Sequence, residues 1–153
     1  MDLEAFNQFP DLPETHVLDN RIYTNQEILE QEQNEIFKNT WLFVCHESEL
    51  PNAGSFRTTL AGGKPIVIVR GEDGIIRSFY NICRHRSSPV VRTESGCAKE
   101  FQCFYHLWTY NLEGTCTGVT KPDGYKAVNL DKNKLSLIPI RADVIAGLVF
   151  VCL

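Results

Sequence analysis

No run of apolar residues in this chain approaches the roughly 18 that a bilayer-spanning helix needs. Its start, MDLEAFNQFPDLPETHVLDN, is acidic and polar, without the apolar centre of a secretory signal. Basic charge is in deficit: 15 Lys and Arg stand against 19 Asp and Glu, a net charge of −4. That balance argues against nucleic acid and against an anionic membrane surface as partners. Internal repeats and low-complexity stretches are missing, which excludes solenoids and disordered arrays. These absences lead to the expectation of a soluble, cytoplasmic protein that binds neither nucleic acid nor membrane.

Histidine is also scarce, with four residues, and cysteine stands at six. Four of those ten fall into two short clusters, Cys83 and His85 in ICRHR, and Cys103 and His106 in CFYHLW. The pattern is C-x-H, then 17 residues, then C-x-x-H. This is the ligand pattern of a Rieske [2Fe-2S] centre, in which two thiolates hold one iron and two imidazoles the other. Formal charges give a reason for the mixture. Two ferric ions, two sulfides and two thiolates sum to zero, against about −2 for a four-thiolate cluster. The less negative cluster accepts an electron more readily, and the free imidazole N–H groups can respond to its charge.

A structural zinc site is the competing reading, because two Cys and two His also satisfy tetrahedral Zn²⁺. Zinc pairs, however, follow C-x(2–4)-C and H-x(3–5)-H, whereas each pair here is mixed. With two cysteines given to iron and no secretory signal, Cys45, Cys97, Cys116 and Cys152 are expected as free thiols. Cys45 and Cys152 sit in the apolar runs WLFVC and GLVFVCL, where cysteine serves as a small hydrophobe.

A chain of 153 residues with 43% hydrophobic content suits one domain with a real core. Residues 1 to about 23, with Pro10 and Pro13, read as an extended arm. Thr24 with Glu27 forms a candidate capping box and predicts a helix over 25–38, with Leu29, Ile36 and Phe37 as its apolar stripe. From Trp41 the signals are short strands and turns. WLFVC is followed by a hairpin, KPIVIVR and IIRSFYNI around the turn GEDG at 71–74, whose second strand runs into Cys83. LWTYNLEGTCTGV supplies another hairpin turning at Asn111 to Gly114, and LSLIPIRADVIAGLVFVCL two closing strands. The expected fold is mainly β, a small antiparallel β-sandwich or barrel with a cluster-binding hairpin subdomain, preceded by an arm and one helix. The division is 1–45 for arm and helix and 46–153 for the cluster domain.

With NICRHR, CFYHLWTYNLEG and the leader IYTNQEILEQEQNEIFKNTWLFVCHESEL in place, the chain resembles the N-terminal Rieske domain of the α (large) subunits of aromatic-ring-hydroxylating, non-haem iron oxygenases. The resemblance covers nearly the whole sequence. It implies Cys83 and Cys103 on an inner iron and His85 and His106 on an outer, more exposed one. Arg84 and Arg86 match the family's CRHR, where hydrogen-bonded bracing of the loop is preferred over a docking role. Trp108 and Tyr110 are expected to pack against the cluster loops, and His46 to be a satisfied structural histidine. His16 has no motif context.

Two positions depart from the family pattern. Glycine is common after the CRHR arginine and after the second ligand histidine, where this chain has Ser87 and Leu107, so differently shaped loops are expected. Respiratory Rieske proteins add a loop-stapling cysteine pair and a serine hydroxyl. The corresponding places here hold Ser88, Tyr105 and Trp108. Their absence implies a potential toward the low end of the range of roughly −150 to +300 mV.

Members of the resembled family activate O₂ at a mononuclear iron held by two histidines and a carboxylate. With His85 and His106 committed, His16 and His46 cannot supply that site, so no catalytic residues are assigned and mononuclear Fe(II) is expected only in a missing C-terminal domain. The chain reads as a fragment, a truncated gene model or an excised domain. The resemblance implies one-electron relay from a ferredoxin or flavin reductase to the catalytic domain of a neighbouring subunit, in a parent protein that is a trimer. A stand-alone Rieske electron carrier and a zinc-stabilised module are the alternatives.

Overall fold

The computed structural model describes residues 21–128 and 131–153. The arm expected over residues 1 to about 23 and His16 therefore lie largely outside the described residues. Its last residues belong to a helical turn, α1 (Arg21–Thr24). The predicted capping box is corrected. Thr24 ends that turn, and the chain leaves it through Asn25, whose extended backbone aims its side-chain oxygen at the N–H groups of Glu27 and Ile28, at 2.8 and 3.2 Å. Asn25 thus caps α2 (Gln26–Glu32), which widens into a π-helical segment at Gln33–Phe37. The two together fill most of the predicted span. No residue of α2 is buried, so its anchorage comes from the widened end. The side chains of Gln33 and Phe37 lie against Gly62 and Gly63, where an added Cβ would meet them at 2.8 and 3.2 Å.

Ten strands follow among the described residues: β1 (Leu42–His46), β2 (Ser55–Ala61), β3 (Lys64–Arg70), β4 (Ile76–Tyr80), β5 (Ser95–Cys97), β6 (Phe101–Gln102), β7 (Thr109–Tyr110), β8 (Cys116–Gly118), β9 (Pro139–Ile145) and β10 (Leu148–Cys152). Seven form a curled antiparallel sheet in the order β1-β10-β9-β4-β3-β2-β5, and β6-β7-β8 form a second, three-stranded sheet. The protein is mainly β, as its sequence predicts. The hairpins read from the sequence are there: β3–β4, β7–β8 and β9–β10 all pair antiparallel. The strand β2 escaped the sequence reading because SFRTTLA mixes polar and apolar residues without clean alternation. The short β5 and β6 carry too few residues to show a pattern.

The central strand β3 explains the rest of the packing. Its run Ile66, Val67, Ile68, Val69 is wholly buried, and alternation sends neighbouring side chains to opposite faces. Ile66 and Ile68 join Leu50, Ile140, Val149 and Val151 in one apolar cluster. Val67 and Val69 join Phe79, Trp108, Tyr110 and Leu112 in another. A strand covered on both faces reads as a continuous apolar run. The second cluster also contains Cys83 and Cys103, so the core is the platform on which the two sequence motifs sit.

Candidate metal centre

The first motif lies in the loop after β4, and its ends are tied by Asn81. This buried amide donates to the Val91 carbonyl at 2.8 Å and accepts from the N–H groups of Val90 and Val91 at 3.0 and 2.9 Å. A buried amide with three partners is a rigid strut, because losing any one leaves a desolvated polar group. The second motif lies in the loop between β6 and β7.

Both loops close by the same hydrogen bonds. Cys83 N–H donates to Ser88 O at 2.8 Å and Ser87 N–H to Cys83 O at 3.0 Å. Cys103 N–H donates to Trp108 O at 2.8 Å and Leu107 N–H to Cys103 O at 2.9 Å. Ser87 and Leu107 both have φ 57°. The expectation of differently shaped loops is thereby corrected: the left-handed turn that glycine would favour is made by serine and leucine.

The loops bring the four candidate ligands together by type. The thiols of Cys83 and Cys103 are buried in the same apolar cluster. The rings of His85 and His106 lie edge to face with centroids 4.4 Å apart, both partly exposed. Thiols inside and imidazoles outside is the order that the resemblance implies. Burial pushes the Cys103 thiol up, while the backbone N–H groups of Tyr105 and His106 pull it down. Burial holds the His85 imidazole below its ordinary value, and the charges of His106 and Arg86 act in the same direction. A neutral imidazole is the form that binds metal.

Tyr110 and Trp108 do more than pack. The fully buried Tyr110 hydroxyl accepts from Arg84 N–H at 3.1 Å and lies 3.3 Å from Cys83 Sγ. The hydroxyl accepts from the amide and keeps its own proton available for the sulfur. Burial and the neighbouring Cys83 raise its pKa above the ordinary phenol value, so it remains a donor. Trp108 is buried and stacks on His85, 4.7 Å between centroids and 6° between planes.

Other expectations fare differently. Both Arg84 and Arg86 are exposed, and among the described residues neither guanidinium makes a hydrogen bond. The bracing comes from Asn81, Tyr110 and the backbone. His46 is structural: its ring accepts from Ser48 N–H at 3.2 Å and its backbone N–H donates to the Glu49 carboxylate at 2.9 Å. Among the described residues no disulfide joins the cysteines, and Cys45 and Cys152 are buried.

The donor set fits a two-iron centre on evidence within the chain. His85 Nδ1 is buried with no hydrogen-bond partner, a cost that a metal bond at that nitrogen would remove. Among the described residues no three His, Cys, Asp or Glu side chains group around a single ion. The donors fall instead into a thiol pair and an imidazole pair, the division that two irons need and one zinc does not.

A family comparison agrees with this geometry. Residues 40–132, more than half of the chain, match the Rieske [2Fe-2S] domain. The chain belongs to that family.

Relatives of this Rieske domain are oxygenase subunits. It is 41% identical over 138 residues to the α subunit of 2-aminobenzenesulfonate 2,3-dioxygenase from Alcaligenes sp, covering 90% of this chain and 35% of that protein. Against the carnitine monooxygenase oxygenase subunit of Escherichia coli K12 it is 36% identical over 131 residues, covering 86% and 34%. Naphthalene 1,2-dioxygenase with indole bound in the active site superposes with a TM-score of 0.81 at 33% identity, over 86% of this chain and 30% of that one. A quaternary ammonium Rieske monooxygenase in its apo form gives 0.80 at 34%, over 88% and 39%. The chain spans about a third of the length of the relatives it matches and corresponds to their Rieske part.

Sequence reasoning missed Asn81 and Tyr125. Asn81 lies two residues before the first candidate ligand cysteine, a place where an amide could have been suspected. Tyr125 gave no signal, since it reaches His85 across 40 residues of sequence.

Proposed function

We propose that Cys83 and Cys103 hold one iron and His85 and His106 the other iron of a Rieske cluster, and that the domain relays single electrons within an oxygenase α subunit. The single observation that carries this reading is the buried, partnerless Nδ1 of His85 beside His106, above a pair of buried free thiols. When bound, a [2Fe-2S] centre supplies reversible one-electron storage.

The residues divide the remaining tasks. Cys83 and Cys103 anchor the centre to the apolar core, and the Tyr110 hydroxyl offsets charge on Cys83. His85 and His106 present the outer, partly exposed edge at which an electron enters or leaves. Arg84 and Arg86 flank that edge as exposed cations suited to an acidic surface.

By likeness to the relatives, the electron donor is a ferredoxin or flavin reductase, and the acceptor is a mononuclear iron in the catalytic domain of a neighbouring subunit of a trimer. Support for crossing between subunits comes from the quaternary ammonium Rieske monooxygenase of carnitine oxidation, whose structure bears on inter-subunit electron transfer and superposes with a TM-score of 0.79. The leader, 1–45, would feed the cluster domain, 46–153, through β1. No helix among the described residues is long and apolar enough to cross a membrane, and a cytoplasmic setting suits the buried thiols of Cys45, Cys83, Cys103 and Cys152.

The test is protein purified without oxygen, assayed for iron and reduced with dithionite. About two irons per chain and a rhombic EPR signal of a histidine-ligated [2Fe-2S]⁺ centre are expected. Alanine at His106 or serine at Cys83 should abolish that signal. A colourless protein with one zinc per chain would overturn the reading.

A further inference from the structure

We propose that Tyr125 is a positioning residue of the cluster site: its phenol oxygen receives the Nε2–H of His85 and fixes the imidazole with Nδ1 turned toward the iron. This deepens the reading proposed above and rests on it.

The geometry around His85 uses three sides of one ring. Trp108 lies flat against its face at 6°. Tyr125 OH sits 3.2 Å from Nε2, and its ring meets that of His85 edge to face at 6.2 Å. The remaining nitrogen, Nδ1, is buried without a partner. Stacking alone would tolerate a ring turned over by 180° about Cβ–Cγ, which puts Cδ2 and Cε1 where Nδ1 and Nε2 stand. Only the polar contact at Nε2 tells the two orientations apart. A neutral imidazole that binds metal through Nδ1 carries its proton on Nε2, so the phenol oxygen acts there as the acceptor.

His106 has no such partner. Among the described residues no hydrogen bond reaches its ring, which meets only the rings of His85 and Tyr105. The same short segment nevertheless touches both loops, because Thr120 donates its hydroxyl proton to the His106 carbonyl at 2.7 Å. Residues 120–125 therefore clasp the loops with Thr120 on one and Tyr125 on the other, and only His85 is oriented through its side chain. An acceptor on the outer N–H makes an imidazole a stronger electron donor to its metal. Tyr125 should therefore favour the oxidised centre and lower its potential.

The experiment compares holo wild type with Tyr125→Phe at one pH, reading iron content, midpoint potential and exchange of the two histidine ring protons by NMR of ¹⁵N-histidine-labelled protein in D₂O. Expected are unchanged iron, a midpoint shifted upward, and exchange of one ring proton faster by about tenfold, on the order of what one hydrogen bond sets. A loaded variant with an unchanged or lower midpoint overturns the role of Tyr125 while leaving the cluster assignment intact. Wild type without the cluster spectrum overturns the functional reading itself. Should Tyr125→Phe lose iron, wild-type exchange decides alone: one protected and one fast proton supports the proposal, and equal rates overturn it.

Discussion

Ser87 and Leu107 hold the same left-handed backbone, φ 57°, and each donates its N–H to the carbonyl of the candidate ligand cysteine four residues earlier, at 3.0 and 2.9 Å. The two loops are thus near copies in backbone, although their histidines follow the cysteines at different distances. A left-handed residue with a Cβ costs roughly 1–2 kcal/mol. The chain tolerates this at both turns, because the closing hydrogen bonds and the buried thiols over-determine the loop.

Glycine at either turn should therefore relieve strain. Leu107 is half exposed, so little burial is lost. Leu107→Gly is expected to gain about 1 kcal/mol, reduced somewhat by the greater freedom of glycine in the unfolded chain. Thermal unfolding of the holo protein should rise by roughly 2–4 °C. Leu107→Val, β-branched in the same conformation, should lower it.

The Tyr110 hydroxyl, 3.3 Å from Cys83 Sγ, is placed to donate to it. Tyr110→Phe keeps the ring in the core and removes only the proton aimed at sulfur. Its cluster should assemble, with a midpoint more negative by on the order of 50 mV, the equivalent of about 1 kcal/mol for one electron. The wild-type midpoint is expected below about +100 mV, toward the low end of the Rieske range. Redox titration followed by EPR measures both, and an unshifted variant would remove Tyr110 from the control of potential.

Asn81 holds the first loop through three buried hydrogen bonds. Asn81→Leu keeps similar volume but strands the N–H groups of Val90 and Val91 and the carbonyl of Val91, at about 1–3 kcal/mol for each buried group left unpaired. Urea unfolding should show a marked loss of stability, and iron should be released faster than from wild type.

Asp73 and Arg77 make a two-point ion pair across the β3–β4 turn, 2.8 and 2.6 Å. That hydrogen bonding holds the Asp73 carboxyl far below its ordinary value of 3.8. A depressed carboxylate pKa adds stability above the unfolded value and loses it as the pH falls through the folded value. Wild type should therefore exceed Asp73→Asn at neutral pH, with the gap closing progressively below about pH 3.8. Because the pair is exposed, 1 M salt should shrink the gap as well. Urea midpoints across pH test both.

Much of the site was legible because its chemistry is local. Cys83 with His85 and Cys103 with His106 are separated by one and two residues, so each pair is confined to a single turn, and the mixed spacing argues against zinc ligands. The strands that flank them announced themselves through β-branched runs. The helix was legible in extent, yet its cap moved from Thr24 to Asn25, since which of two adjacent capping residues turns extended depends on the helical turn before it.

The sequence by itself determined the candidate ligand types, their two loops, and a mainly β frame, because these rest on side-chain chemistry and short-range backbone preference. Only the tertiary structure decided that Ser87 and Leu107 take the glycine conformation, that Tyr110 points at Cys83, and that Tyr125 meets His85. The same holds for the seam by which β10, the last strand, closes against β1. Each of those depends on which segments are driven together to bury the two faces of β3, and burial is a property of the whole chain that no window of residues contains.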